Sequence, residues 1–185
     1  QDLHELSGAL EVLLKPRGVV IFEDPYLGDI VEQVAYDQIY DEHTYYFSVA
    51  SVARWLSRHA FDVVDVQPQP VHGGSMRYVV GRRGALTARP AVDVQRRKEA
   101  SLGLHDRATY GQFTRNINRS RDELVRLLHR LKQDGRRVAG YAATSKSTTV
   151  LNYCGISGDL CEFISDTTPL KQGRFSPGMH IPIRP

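Results

Sequence analysis

The stretch "YDQIYDEHTYYF", Tyr36 to Phe47, places four tyrosines, a phenylalanine, three acids and a histidine within twelve residues. Histidine is the side chain whose ordinary pKa lies near neutral pH, which suits a general base. A neighbouring phenol can donate a hydrogen bond to a developing oxyanion, an interaction worth roughly 3–4 kcal/mol when such a donor is lost. Together they fit removal of a proton alpha to a ketone to give an enolate. Read as a helix, the stretch puts Tyr36, Tyr40, His43 and Phe47 on one face at steps of four, three and four. Tyr40 and His43 are then neighbours. Glu42, about 100° from His43 around such a helix, is left to orient a substrate or a second group. A packed aromatic face around a hydrogen-bonded core histidine fits the same residues.

A second candidate is "GYAATSKSTT", Gly140 to Thr149, which follows a predicted strand and opens a predicted helix. Helix N-termini present unpaired N–H groups and a positive dipole end, so they hold phosphates. Ser145, Ser147, Thr148 and Thr149 add hydroxyls, and Lys146 adds charge. The stretch nearly reads as a triphosphatase phosphate loop, with Asp166 as a magnesium ligand. Ser145 stands where that loop needs its second glycine, so a general nucleotide or anion cradle fits better, and a plain capped helix fits too. "HGG" at 72–74 reads as a turn or a close approach of backbone to ligand. "KQGRFSPG" at 171–178 offers Lys171 and Arg174 to an anion or to water.

The elements that must carry these groups follow from periodicity. Residues 2–14 have helical leucine spacing, with no capping residue apparent ahead of them. "VVIFE" (19–23) is a short apolar run, as in a strand buried on both faces of a parallel sheet. Residues 30–47 are expected to be mostly helical. Residues 49–59 form another helix with Ser48 as its N-cap. Segments 61–67 and 75–83 alternate as two paired strands, the closing hairpin of a doubly wound sheet. Residues 84–90 read as a linker. Beyond it, 92–102 and 108–133 are helical, the latter with a stripe of Phe113, Ile117, Leu124, Leu127, Leu128 and Leu131 and a stop at Gly135. Segments 137–143, 145–155 and 161–166 spell strand, helix, strand.

Four segments in order, "YDQIYDEHTYYFS", "VHGGSMRYVV", "GYAATSKSTTVLNYCGI" and "DTTPLKQGRFSPGMHIPI", resemble the sugar C-methyltransferases that act on nucleotide-linked deoxysugars. The resemblance runs nearly from Gln1 to Pro185. It implies an α/β chain: residues 1–83 as the end of a class I methyltransferase Rossmann-like sheet with the catalytic motif, 84–90 as linker, and 91–185 as a second small Rossmann-like nucleotide-sugar domain. It implies His43 as the base, Tyr40 at the enolate oxygen and Glu42 at the sugar. For binding the nucleotide sugar, His72, Tyr141, Ser145, Lys146, Ser147, Thr148 and Lys171 are the candidates. The implied cofactor is S-adenosylmethionine, and the implied substrate is a thymidine-diphosphate-type keto-deoxysugar, in the setting of antibiotic deoxysugar biosynthesis. The family's zinc-binding module and glycine-rich cofactor loop have no counterpart in these residues. The chain is therefore expected to be a piece of a longer protein that binds S-adenosylmethionine poorly alone, with no metal site of its own.

Composition narrows the remaining classes. The 185 residues are 41% hydrophobic and 24% charged, as in globular domains. A net charge of +3 is too small to argue for nucleic acid or a membrane surface. The pairs Arg82–Arg83, Arg96–Arg97 and Arg136–Arg137 read as solvated faces. Two cysteines make no disulfide framework and fit a reducing cytoplasm. No apolar run approaches the ~20 residues that span a bilayer. An O- or N-methyltransferase and a noncatalytic nucleotide-sugar-binding module are the rival readings. The former needs no base for a C–H bond.

Overall fold

A computed structural model describes residues 2–185. They divide into two compact units, one of residues 2–35 and 43–111, the other of residues 36–42 and 112–185.

The first unit opens with helix α1 (Leu3–Leu13), whose N-cap is Asp2, accepting from the His4 amide at 2.8 Å. The cap that the sequence reading did not find is thus supplied by the second residue. Strand β1 (Val19–Pro25) leads into α2 (Leu27–Gln33), which ends where Val34 takes a left-handed conformation, φ 55°. Helix α3 (Val49–Ser57) begins at Ser48, and Ser48 and Ser51 exchange the reciprocal bonds of a capping box. Strands β2 (Phe61–Gln69) and β3 (Ser75–Arg82) form the expected hairpin, and α4 (Pro90–Ser101) follows.

The sheet order is β1–β3–β2, antiparallel at both ladders, so β1 and β2 run the same way with β3 inserted between them. This corrects the expectation of a strand buried on both faces. β1 half-buries the alternate residues Val20, Phe22 and Asp24 and leaves Val19 and Ile21 exposed. The core gathers Tyr26, Val49, Val52, Leu56, Phe61, Met76, Tyr78 and Val80, with Phe22, Phe47 and Trp55 packed against it. Each such side chain contributes about 1.5–3 kcal/mol on burial.

The boundary expected at 84–90 also moves. Val92, Gln95 and Glu99 of α4 are buried, and the helix packs on β2 and α3. The first unit therefore extends to Gly111, inside helix α5 (Arg107–Gln133).

In the second unit, β4 (Gly140–Tyr141), β5 (Ile164–Ser165) and β6 (Ile183–Arg184) make a three-stranded parallel sheet in the order β4–β5–β6, with α6 (Ser145–Cys154) between β4 and β5 in the chain. The strand–helix–strand reading holds, with strands shorter than expected. Leu128, Cys154, Ile156, Cys161, Ile164 and Ile181 form its core.

Candidate active site

The chain from 30 to 47 is not the long helix its spacing suggests. After α2 it makes only a 3-10 turn (Tyr36–Gln38) and then runs irregularly to Phe47. Tertiary pairing overrides the local pattern. Phe47 forms a parallel bridge with Tyr26, and the Leu27 amide donates to the Phe47 carbonyl at 2.9 Å. An extended end of this kind cannot close a helical turn. Tyr40 and His43 are therefore not neighbours on a helix face.

The division between the two units falls between Glu42 and His43. In the second unit the segment 36–42 is held against α6. The Tyr36 hydroxyl lies 3.4 Å from Cys154 Sγ, the Tyr36 and Tyr153 rings are 5.4 Å apart, and Thr149 Oγ1 donates to the Ile39 carbonyl at 3.2 Å. Tyr40 is half-buried and Glu42 exposed.

In the first unit His43 meets Asp24, a residue to which the sequence assigned no role. His43 Nδ1 is 3.1 Å from Asp24 Oδ1, and the two side chains are 24% and 23% exposed. The imidazole is thus not walled off among the aromatics. Asp24 lies near the carboxyl end of β1. It shares a strand face with Phe22, which packs against Phe47 and stacks on Tyr78 at 4.8 Å. Burial raises the Asp24 pKa above its ordinary value, and the His43 charge and hydrogen bond partly oppose this. An Asp-Pro pair closing a predicted strand was the available signal for Asp24.

Glu99 was also missed. It is 1% exposed and sits at the N-terminus of α3, accepting from the Val49 amide at 2.5 Å, the Ala50 amide at 2.9 Å and the Tyr26 hydroxyl at 3.0 Å. Helix N-termini favour such a carboxylate. It fixes the backbone immediately after Phe47 and the phenol immediately before α2. Its place in the charged run Arg96–Arg97–Lys98 gave no sequence signal.

His72 is exposed at the β2–β3 turn, with φ 53°. Gly74, two residues on, has φ 117°, and a Cβ there would overlap Asp29. That glycine brings the backbone close to the molecule's own helix.

The second candidate region forms around the carboxyl ends of β4 and β5. Thr144 caps α6, and Thr144 and Ser147 exchange capping-box bonds at 3.0 Å each. Thr148 Oγ1 donates to the Thr144 carbonyl. Two of the hydroxyls assigned to a phosphate are thus engaged in the helix start. Tyr141 and Ser145 are exposed, and Lys146 is half-buried. Lys171 Nζ donates to the Ala143 carbonyl at 2.8 Å and to Asp166 Oδ2 at 3.1 Å. Asp166 also accepts from the Ala143 and Thr168 amides at 2.7 and 2.8 Å, and these donors hold its pKa well below the ordinary carboxylate range. Lys171 ties the two strand-end loops together.

Residues 70–185 match the model of the C-methyltransferase C-terminal domain family. The chain belongs to this family. It is also 37% identical over 183 residues to the C-methyltransferase NovU of Streptomyces niveus, covering 98% of this chain and 44% of that relative. The chain thus spans less than half the length of the relative it matches. As a member of a C-methyltransferase family it has the α/β character expected, its two small sheets consistent with the Rossmann-like C-terminal region of such an enzyme. The family match begins beyond the Tyr40–Glu42–His43 motif, whereas the likeness to NovU extends over nearly the whole chain.

Methyltransferase membership implies S-adenosylmethionine as donor. The residues after β1 do not form its cradle: Gly28 follows that strand into α2, but a Cβ at this position would overlap the buried Tyr26 ring. The glycine serves packing. Among the described residues no group of three or more His, Cys, Asp or Glu side chains could hold a metal, and no helix is long and apolar enough to cross a membrane.

Proposed function

We propose that this chain supplies the proton-abstraction and nucleotide-sugar-binding parts of an enzyme that C-methylates a nucleotide-linked 4-keto-deoxysugar. The methyl donor, S-adenosylmethionine, is held by residues other than these, and the chemistry assigned here is the formation of the enolate.

His43 is the base. Its imidazole takes the proton from the sugar carbon beside the C4 ketone. The electron pair of that C–H bond becomes the carbon–carbon double bond, and the carbonyl pair moves onto oxygen. Tyr40 donates to that oxygen, and Glu42 contacts the sugar. The enolate carbon is then the nucleophile for the methyl group. The loop 140–149 receives the diphosphate of a thymidine-type nucleotide, with Lys146 as its charge, Tyr141 and Ser145 at its exposed edge, and the α6 N-terminus behind it.

The observation that carries this reading is the state of His43. It is a partly exposed imidazole, held by a carboxylate, at the carboxyl end of a strand in a C-methyltransferase family chain. A histidine serving only to fill an aromatic core would have no need of solvent access or of an acidic partner.

Solvent exchange tests it without any methyl transfer. The full-length enzyme is incubated with a thymidine-diphosphate 4-keto-deoxysugar in deuterated water, with no donor. Deuterium enters beside the ketone with the wild type, and His43→Ala slows entry by at least about a hundredfold. Exchange at the wild-type rate in His43→Ala removes the base assignment. For the loop, Lys146→Ala weakens thymidine diphosphate binding by about tenfold in calorimetry; unchanged affinity removes the phosphate assignment.

A further inference from the structure

We propose that Asp24 is the positioning residue for His43: its carboxylate holds the proton on Nδ1, so that Nε2 is the nitrogen that takes up the substrate proton. This rests on the reading of His43 as the base.

A neutral imidazole carries one N–H, and its location is set by the hydrogen bond the ring makes. A carboxylate only accepts. Asp24 Oδ1 is buried with no hydrogen-bond partner and lies 3.1 Å from Nδ1, so its negative charge favours the proton on Nδ1 and the lone pair on Nε2. When Nε2 accepts a proton the ring becomes an imidazolium with both nitrogens protonated. The Asp24 charge stabilises that cation, and no proton passes to the carboxylate.

The pairing is built into the fold at both ends. Asp24 is in register with Met76 and is followed by the Pro25–Ser75 pair, so its strand cannot shift without breaking the β1–β3 ladder. His43 is four residues from Phe47, whose backbone bridges to Tyr26. The α3 N-terminus just beyond is clamped by Glu99.

The carboxylate and the imidazole sit in a partly buried setting. Phe22 flanks Asp24 on the strand face. On β3, Tyr78 is buried with no hydrogen-bond partner for its hydroxyl, and burial raises its pKa, with smaller contributions from Glu99, Tyr26 and Asp24. The Tyr46 ring is 6.3 Å from that of His43. In a partly buried setting an ion pair of this kind is screened less than one at the surface.

The test pairs kinetics with a spectroscopic signature in the full-length enzyme. Asp24→Asn keeps the shape and removes the charge, and its amide can donate to Nδ1, turning the ring to the opposite tautomer. The expected result is a fall in deuterium exchange of at least about a hundredfold with KM unchanged, partial recovery in Asp24→Glu, and nitrogen-15 NMR showing His43 protonated on Nδ1 in the wild type but not in Asp24→Asn. Exchange in Asp24→Asn within about threefold of wild type overturns the proposal. So does a wild-type His43 protonated on Nε2 alone, a measurement that holds even if the variant fails to fold. If His43→Ala itself leaves exchange intact, the base assignment has failed instead. If His43→Ala abolishes exchange and Asp24→Asn does not, only the positioning role has failed.

Discussion

Two aspartates close two strands in this chain, and they have opposite proton chemistry. Asp24 ends β1 in the antiparallel unit, and Asp166 follows β5 in the parallel one. Asp166 accepts from two backbone amides and the Lys171 ammonium, so its ionised form is stabilised and its pKa is depressed. The Asp24 pKa is raised by burial, and its neighbour is the His43 imidazole. A carboxylate saturated with fixed donors is a structural rivet. One whose partner is itself titratable can respond when that partner changes charge. Position at a strand end does not distinguish them. The donor count does.

The largest effect expected from this contrast is a crossed result. Asp24→Asn reduces deuterium exchange by at least about a hundredfold while its unfolding temperature stays near that of the wild type. Asp166→Asn lowers the unfolding temperature of the second unit and leaves the exchange rate of folded enzyme within a few fold. If both substitutions act only on stability, the two carboxylates are alike and the contrast is broken.

A third carboxylate sharpens the comparison. Glu99→Ala removes the acceptor of two buried amides and a phenol, and it should destabilise the first unit by roughly 3 kcal/mol in denaturant unfolding. A loss below about 0.5 kcal/mol would mean that those donors find other partners. Gly28→Ala comes next: the added methyl must displace the Tyr26 ring, at about 1–3 kcal/mol by the same measurement.

The smallest and most local effect is one of pH. The Asp166 pKa is lowered on folding, so its contribution is complete above the ordinary value of 3.8 and is lost as pH falls from there through the folded-state value. Protection of the Ala143 and Thr168 amides, measured against their intrinsic exchange rates, should be complete down to about pH 4 and decline progressively below it. Loss of protection already near pH 6 would contradict the depressed pKa.

Local signals in the sequence located much of this. Ser48 before an apolar-periodic run gave α3 and its cap, and the alternation of 61–67 and 75–83 gave the hairpin. The order of strand, phosphate-type turn, helix and strand gave the parallel unit. The same local reasoning failed at 30–47, because helical spacing of aromatics cannot report that Phe47 is committed to a bridge with Tyr26, twenty-one positions earlier. Tyr40 and His43 were legible as residue types with a chemical purpose. Asp24 was not, because it lies nineteen residues from the histidine it contacts, in a segment whose proline read only as punctuation. Glu99 was hidden by its charged neighbours, where a single buried acid leaves no pattern.

The grip of Glu99 on the start of α3 has a practical consequence. A dissection of the protein at residues 84–90, where composition invites a cut, would leave the Tyr26 hydroxyl and two amides of the preceding piece without their acceptor. The shortest autonomous version of the histidine-bearing half should therefore retain α4 and end no earlier than Gly111.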